Sequence, residues 1–147
     1  MPTQVIPYLS IQGAASALEF YKKAFGAKEE LRLTEPGTGR IGHAEITIGG
    51  SRIMLADEYP EYGIVSPKTL GGAGLRICLI VDDVDAVVAR AVDAGAKLTM
   101  PVRDQFYGDR SGKVEDPFGH TWYIQTHKED MSAEEMQRRY DEELSAQ

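Results

Sequence analysis

The feature that most restricts this chain is an internal repeat at a spacing of 69 residues. Gly26-Ala27-Lys28 follows Tyr21-Lys22-Lys23-Ala24-Phe25, and Gly95-Ala96-Lys97 follows Arg90-Ala91-Val92-Asp93-Ala94. One tripeptide decides nothing, but the same offset lays residues 5–11 on 74–80 and residues 14–24 on 83–93. It also lays Gly50 on Gly119, Ile53 on Trp122 and Leu55 on Ile124, with no gap required. Agreement of pattern in both halves reads as duplication of one unit.

Each copy predicts the same order of elements. Residues 5–12 and 75–81 are apolar, partly β-branched runs of strand length. Leu18, Tyr21 and Phe25 recur at three- and four-residue spacing, which predicts a helix over 16–25. In the second copy Asp83 or Asp85 caps a helix running to Ala94, and Gly95 stops it. Residues 28–34 and 97–102 read as the next strands. Residues 41–48 and 51–56 form a hairpin about Gly49-Gly50, matched by 112–115 and 121–126 about Asp116-Pro117-Phe118-Gly119. The expectation is α+β: two tandem βαβββ modules whose curled mixed sheet surrounds a cavity. Module one covers 4–57, a Pro- and Gly-containing connection 58–73, and module two 74–127, together one domain. A tail follows over 128–147, where Ser132 and Glu135 form a capping box for a charged helix from Ala133 to about Glu143.

Composition narrows the class. At 147 residues, with 42% hydrophobic and 27% charged, the chain matches one globular domain. A net charge of −7 argues against nucleic acid, whose phosphates call for clustered Lys and Arg. No apolar run is long enough to cross a bilayer, and the N-terminus has no basic segment followed by an apolar one. Cys78 is the only cysteine, so no intramolecular disulfide forms; a cytoplasmic protein is the expectation.

The two modules, together with Glu19-Phe20-Tyr21 ahead of Phe25-Gly26 and Asp116-Pro117-Phe118-Gly119-His120 near the end, resemble the vicinal oxygen chelate superfamily. That group includes glyoxalase I, extradiol dioxygenases, fosfomycin-resistance enzymes and bleomycin-binding proteins. Residues 107–112 running into 116–122 are similar to its glyoxalase/bleomycin-resistance-like members. The resemblance implies a helix on the convex side of each sheet and a cup lined by strand residues. In the family's enzymes a divalent ion is held by the first and last strands of each module. Carried onto this chain, the last-strand positions are Tyr123 and Met54, and the first-strand positions fall at or beside Pro7 and Arg76. Proline and methionine offer no hard donor and arginine keeps its proton, so the expectation is no metal at the usual site and no cofactor.

Other residues offer a pocket instead. His43, Glu45 and Thr47 alternate onto one face of their strand, away from Ala44, Ile46 and Ile48. A hydrogen-bonded pair lining a wet cavity and a shifted ligand pair are both open for His43 and Glu45. Arg52 and Met54 share a face, as do Tyr123, Gln125 and His127. Arg76 interrupts an apolar strand expected to be central, where a buried cation needs either an anionic ligand or an internal carboxylate such as Glu45. Tyr107, Asp109 and Arg110 lie on the loop before the last hairpin, where relatives close over ligands; there Asp109 and Arg110 serve equally well as turn-forming residues. His120 and His127 read as structural.

The leading expectation is therefore a small-molecule-binding protein. The alternative is a lyase, isomerase or oxygenase with a relocated or non-metal site, in which His43 or Glu45 is the base and Arg76 stabilises an oxyanion. The resemblance to bleomycin-binding proteins implies a homodimer.

Overall fold

A computed structural model describes all 147 residues. Strands β1 (Tyr8–Ile11), β2 (Lys28–Thr34), β3 (Ile41–Ile48) and β4 (Ser51–Asp57) form one sheet in the order β1-β4-β3-β2. Strands β5 (Arg76–Ile80), β6 (Lys97–Asp104), β7 (Asp109–Glu115) and β8 (Thr121–His127) form a second sheet in the order β5-β8-β7-β6. In each sheet the first strand pairs parallel to the last and the other pairings are antiparallel. Helix α1 (Ala14–Phe25) crosses from β1 to β2, and α3 (Val84–Asp93) from β5 to β6. Both halves are thus βαβββ modules. The connection between them is more ordered than its composition implies, with a 3-10 turn at Pro60–Tyr62 and a short helix α2 (Pro67–Leu70) capped by Ser66. Helix α4 (Ala133–Ser145) closes the chain, its Ser132 hydroxyl accepting from the Glu135 amide. No helix is long and apolar enough to cross a membrane.

Local chemistry explains the boundaries. Gly26 ends α1 at φ 67°, a left-handed conformation that a Cβ disfavours. Asp83 caps α3 by accepting from the Ala86 amide. Irregular registers in β2 and β6 interrupt their pairing with β3 and β7, as bulges that bend a sheet do.

The repeat is not strictly constant. The residue opposite Met54 on the first strand is Tyr8, and the residue opposite Tyr123 is Cys78, an offset of 70 rather than 69. Glu45 opposite Met54 corresponds to Lys113 opposite Tyr123, an offset of 68. The offset falls by one across the helix segment, to 69 at Lys28 and Lys97, and by one more between the second and third strands, and it regains one where the second hairpin turn holds Pro117-Phe118-Gly119 in place of Gly49-Gly50.

Each sheet has one covered face and one open face, and the covered faces share a single core. Leu9, Ile11, Ala44, Ile46, Ile48, Ile53 and Leu55 join Val114, Trp122 and Ile124 in one buried cluster with α1 and α3. Helix α1 carries two apolar stripes. Leu18 and Tyr21 fit the expected face, while Ala17, Phe20 and Ala24 are buried as well, and Phe20 lies 6.2 Å from Phe118 of module two. Asp116, 2% exposed, locks the junction. Its Oδ2 accepts from Tyr21 Oη at 2.5 Å and Trp122 Nε1 at 2.9 Å, and its Oδ1 from the Phe118 and His120 amides at 2.9 and 3.0 Å. Burial first, then Asp116 beside it, push the Tyr21 phenol well above its ordinary range, so it remains a donor. His120 Nε2 lies 3.1 Å from the Ser10 carbonyl, a further bond between modules.

This packing corrects one expectation. The modules meet through their helix-covered faces, and the strands form two separate four-stranded sheets rather than one curled sheet. The cavity at the module boundary is a cleft of about 810 Å³ among residues 4–7, the β3–β4 turn and the free edge of β5, with Thr47 and Arg52 of one sheet and Cys78 and Ile80 of the other on its walls.

Candidate functional site

The open face of module one is organised by alternation along β3 and β4. Tyr8, Met54, Glu45 and Leu31 stand in one row across the sheet, and Arg52 and Thr47 pair in the next. His43 joins two of these side chains. Its Nδ1 is 2.7 Å from Tyr8 Oη and its Nε2 is 2.8 Å from Glu45 Oε2, while Arg52 Nε lies 3.6 Å from Glu45 Oε1. Burial first, then the charge of Glu45, raise the Tyr8 phenol above its ordinary pKa. The result is a connected series, Tyr8–His43–Glu45–Arg52, in which every polar side chain has a partner.

Module two presents different chemistry on the equivalent face. Cys78, Tyr123, Lys113 and Met100 form the row that matches Tyr8, Met54, Glu45 and Leu31. In the adjoining row stand Ile80, Gln125, Ser111 and Arg103. Ser111 is fully buried, with its Oγ 2.8 Å from Tyr123 Oη and 3.1 Å from Tyr107 Oη. Desolvation, the largest influence, raises both the Tyr107 phenol and the Cys78 thiol, so both keep their protons at neutral pH.

Several anticipated site residues have other surroundings than their sequence implies. Arg76 is exposed at the start of β5, which is an edge strand rather than a central one, so it needs no internal counter-ion. It does not pair with Glu45, whose partners are His43 and Arg52. Asp109 and Arg110 begin β7 and bond side chains rather than turn backbone: Asp109 pairs with His127 at 2.8 Å, and Arg110 with Asp85 and Asp104. They line a wholly polar hollow with Gln105, Lys128 and Glu129, and Asp109 stands at the same time on the side of β7 that carries Ser111 and Lys113, at the end of that open face. The candidates thus form two groups. His43, Glu45, Arg52 and Met54 share one face, and Arg76, Tyr107, Asp109, Tyr123 and Gln125 share the other, while Arg110 stands on the opposite side of β7, paired with Asp85 of α3. Ser111, Lys113 and Arg103 were missed from sequence; their alternation with Tyr123 across a hairpin one residue longer than its repeat mate was the available signal.

The ladder positions that correspond to the family's ligand set are Tyr8, Met54, Cys78 and Tyr123. A thioether, a thiol held protonated and two phenols do not suit a hard divalent ion. No three side chains among His, Cys, Asp and Glu converge as ligands elsewhere.

Comparisons with known proteins agree with this architecture. Residues 8–124 match the model of the glyoxalase/bleomycin resistance protein/dioxygenase superfamily. The chain is 41% identical over 134 residues to the uncharacterised Mycobacterium bovis protein Mb0911c, covering 89% of this chain and 88% of that one. It superposes on the X-ray structure of the Arabidopsis thaliana gene product At5g48480 with TM-score 0.68 and 32% identity, over 84% of this chain and 98% of that one. For the Pseudomonas aeruginosa protein PA1353 the TM-score is 0.70 at 27% identity, over 87% and 100%. With its paired βαβββ modules, the chain therefore belongs to the glyoxalase/bleomycin resistance protein/dioxygenase superfamily and has the vicinal oxygen chelate fold.

Proposed function

We propose that this protein binds a small molecule on its open sheet faces, without a metal at the family's usual positions, and that it works as a homodimer. The observation that carries this reading is the donor set Tyr8, Met54, Cys78 and Tyr123, which offers hydrogen-bonding and soft apolar groups where a hard ion would need carboxylates or imidazoles. The faces themselves support the dimer. Neither wall of a cup is covered within one chain, and each exposes apolar side chains, among them Tyr8, Leu31 and Leu33 on one and Ile80 on the other. A twofold dimer that sets face one of each copy against face two of its partner forms two equal cups, with Glu45 of one wall opposing Lys113 of the other. Protein purified from cells at neutral pH should sediment as a dimer and release a small molecule on denaturation, detected by mass spectrometry. A monomer with no carried molecule, or stoichiometric divalent ion bound to strand residues, would overturn the reading.

A second reading, a lyase or isomerase without metal, draws on the Tyr8–His43–Glu45 series, which is built to hold and pass a proton. In it His43 or Glu45 is the base, and Arg76 has no part within the same chain. Turnover lost in both His43→Gln and Glu45→Gln but kept in Arg76→Met would favour it.

A further inference from the structure

The two open faces differ in how far their charges are already used. On face one, Glu45 is engaged by His43 and Arg52, and Glu30 by Lys28 and Thr47. On face two, Arg76, Lys97, Arg103 and Lys113 take part in none of the ion pairs of the chain. Lys113 stands beside Tyr123 in the ladder and Arg103 beside Ser111; of the two carboxylates on this side of β7, Glu115 lies in the outer row with Lys97 and Thr121, and Asp109, paired with His127, lies at the opposite end. Cations left free in a protein of net charge −7 form a local exception to its overall field.

Hydrogen-bond accounting adds a second, independent feature. Tyr107, Ser111 and Tyr123 carry three hydroxyl protons, and only two bonds join them. Ser111 is fully buried and has no other partner, so it accepts from one phenol and donates to the other. The phenol that receives the Ser111 proton then has its own proton to give outward. Tyr123 stands in the row with Lys113, and the apolar Met100, Cys78 and Ile80 flank them. At the rim, Phe106 packs edge-on to Tyr107 at 5.1 Å and stacks on Tyr140 of α4 at 5.3 Å, which holds the loop in place.

We propose that the open face of module two is the site for a small organic oxyanion, a carboxylate or phenolate on a flat apolar body, whose oxygen accepts the free hydroxyl proton of the Tyr107–Ser111–Tyr123 chain beside Lys113 and Arg103. This rests on the small-molecule-binding reading above and specifies the ligand's chemical class. Hydrogen bonds to a charged acceptor are about twice as strong as neutral ones, so both features select an anion over its neutral isostere.

The test uses the full-length protein with 4-nitrophenolate, with nitrobenzene, which lacks the oxyanion, and with benzoate as competitor. Nitrophenolate should bind with a blue shift of its absorption band as it accepts the hydroxyl proton, benzoate should displace it, and nitrobenzene should bind at least about tenfold more weakly. Tyr123→Phe should abolish the blue shift and weaken binding about tenfold. Lys113→Met and Arg103→Met should each weaken it several-fold and flatten its salt dependence, while Lys68→Met, remote from the face, should do neither. Tyr107→Phe gives a second reading of the hydroxyl chain that leaves Tyr123 in place. Equal binding of nitrobenzene, unchanged binding in Tyr123→Phe and Lys113→Met, or no binding by the wild type would each overturn the assignment. A carried ligand that depends on His43 and Glu45 but not on Tyr123 or Lys113 would keep small-molecule binding and sink the oxyanion site.

Discussion

Module one and module two share strand order and helix placement, yet their equivalent surfaces carry opposite chemistry. Glu45 on the first is replaced by Lys113 on the second, and His43 by Ser111. Face one is a closed circuit in which imidazole, carboxylate, phenol and guanidinium bond one another. Face two has a buried hydroxyl chain with a proton to spare and four cations without partners. The difference teaches that duplication preserved what the core requires, alternating Ile, Leu, Val and Trp against the helices, and left the opposite side of each strand free to diverge. A period of two along the chain makes that separation possible, because neighbouring residues answer to different surroundings.

The hairpin turns differ in the same way. Module one turns on Gly49-Gly50, with no side chain reaching the other half. Module two turns through Asp116, which takes four hydrogen bonds at the junction and ties its own hairpin to Tyr21 of module one. The sharpest way to break the comparison is Asp116→Ala. It leaves two buried side-chain donors and two amides without an acceptor and should cost about 3–5 kcal/mol. Urea denaturation should show the loss in one transition shared by both modules, since the core is continuous; two separated transitions would mean that the modules are independent. A smaller effect comes from opening the circuit of face one. With Glu45→Gln the negative charge beside Tyr8 is gone, and the Tyr8 phenol should titrate at lower pH than in the wild type, read from tyrosinate absorbance, although burial keeps it above the ordinary range. Tyr107, on the other face, should not move.

The smallest effect concerns the edge of module two. His127 sits between Asp130, the stronger influence at 2.6 Å, and Asp109 at 2.8 Å, and together they raise its pKa above the ordinary value. A raised histidine contributes stability that is complete below the unfolded value of about 6.5 and is lost as pH rises through the folded one. The wild type should therefore lose its thermal advantage over His127→Gln as the pH rises from about 6.5 through the raised folded value, and the loss should be small because the ring is exposed. An advantage that instead grows with pH would show that the ring is held neutral.

Much of the architecture was legible before any coordinates, because it rests on local signals. The strand–helix–strand–hairpin order of each half, the caps at Asp83 and Ser132, and the inward alternation of His43 with Glu45 are set within a few residues of one another. The register of first strand against last was not. β1 and β5 are both short and mostly apolar, and a one-residue difference between the first strand and the second in the two modules makes Tyr8 and Cys78 the partners of Met54 and Tyr123 without leaving a mark on composition. Arg76 was misplaced for a related reason. An apolar strand reads as central, and only the strand order reveals that β5 has a free edge and an exposed arginine.

Sequence alone determined that this chain is a duplicated βαβββ protein and which side of each strand is apolar, since periodicity and turn chemistry are properties of neighbours. Tertiary structure alone decided that the halves join through α1, α3 and Asp116, leaving each sheet with an open face of its own chemistry. That choice depends on the second apolar stripe of α1, Ala17, Phe20 and Ala24, meeting Phe118 and its neighbours from the other half of the chain. Burial of that stripe is a long-range gain, realised only when both modules are present, and no local pattern encodes where its partner lies.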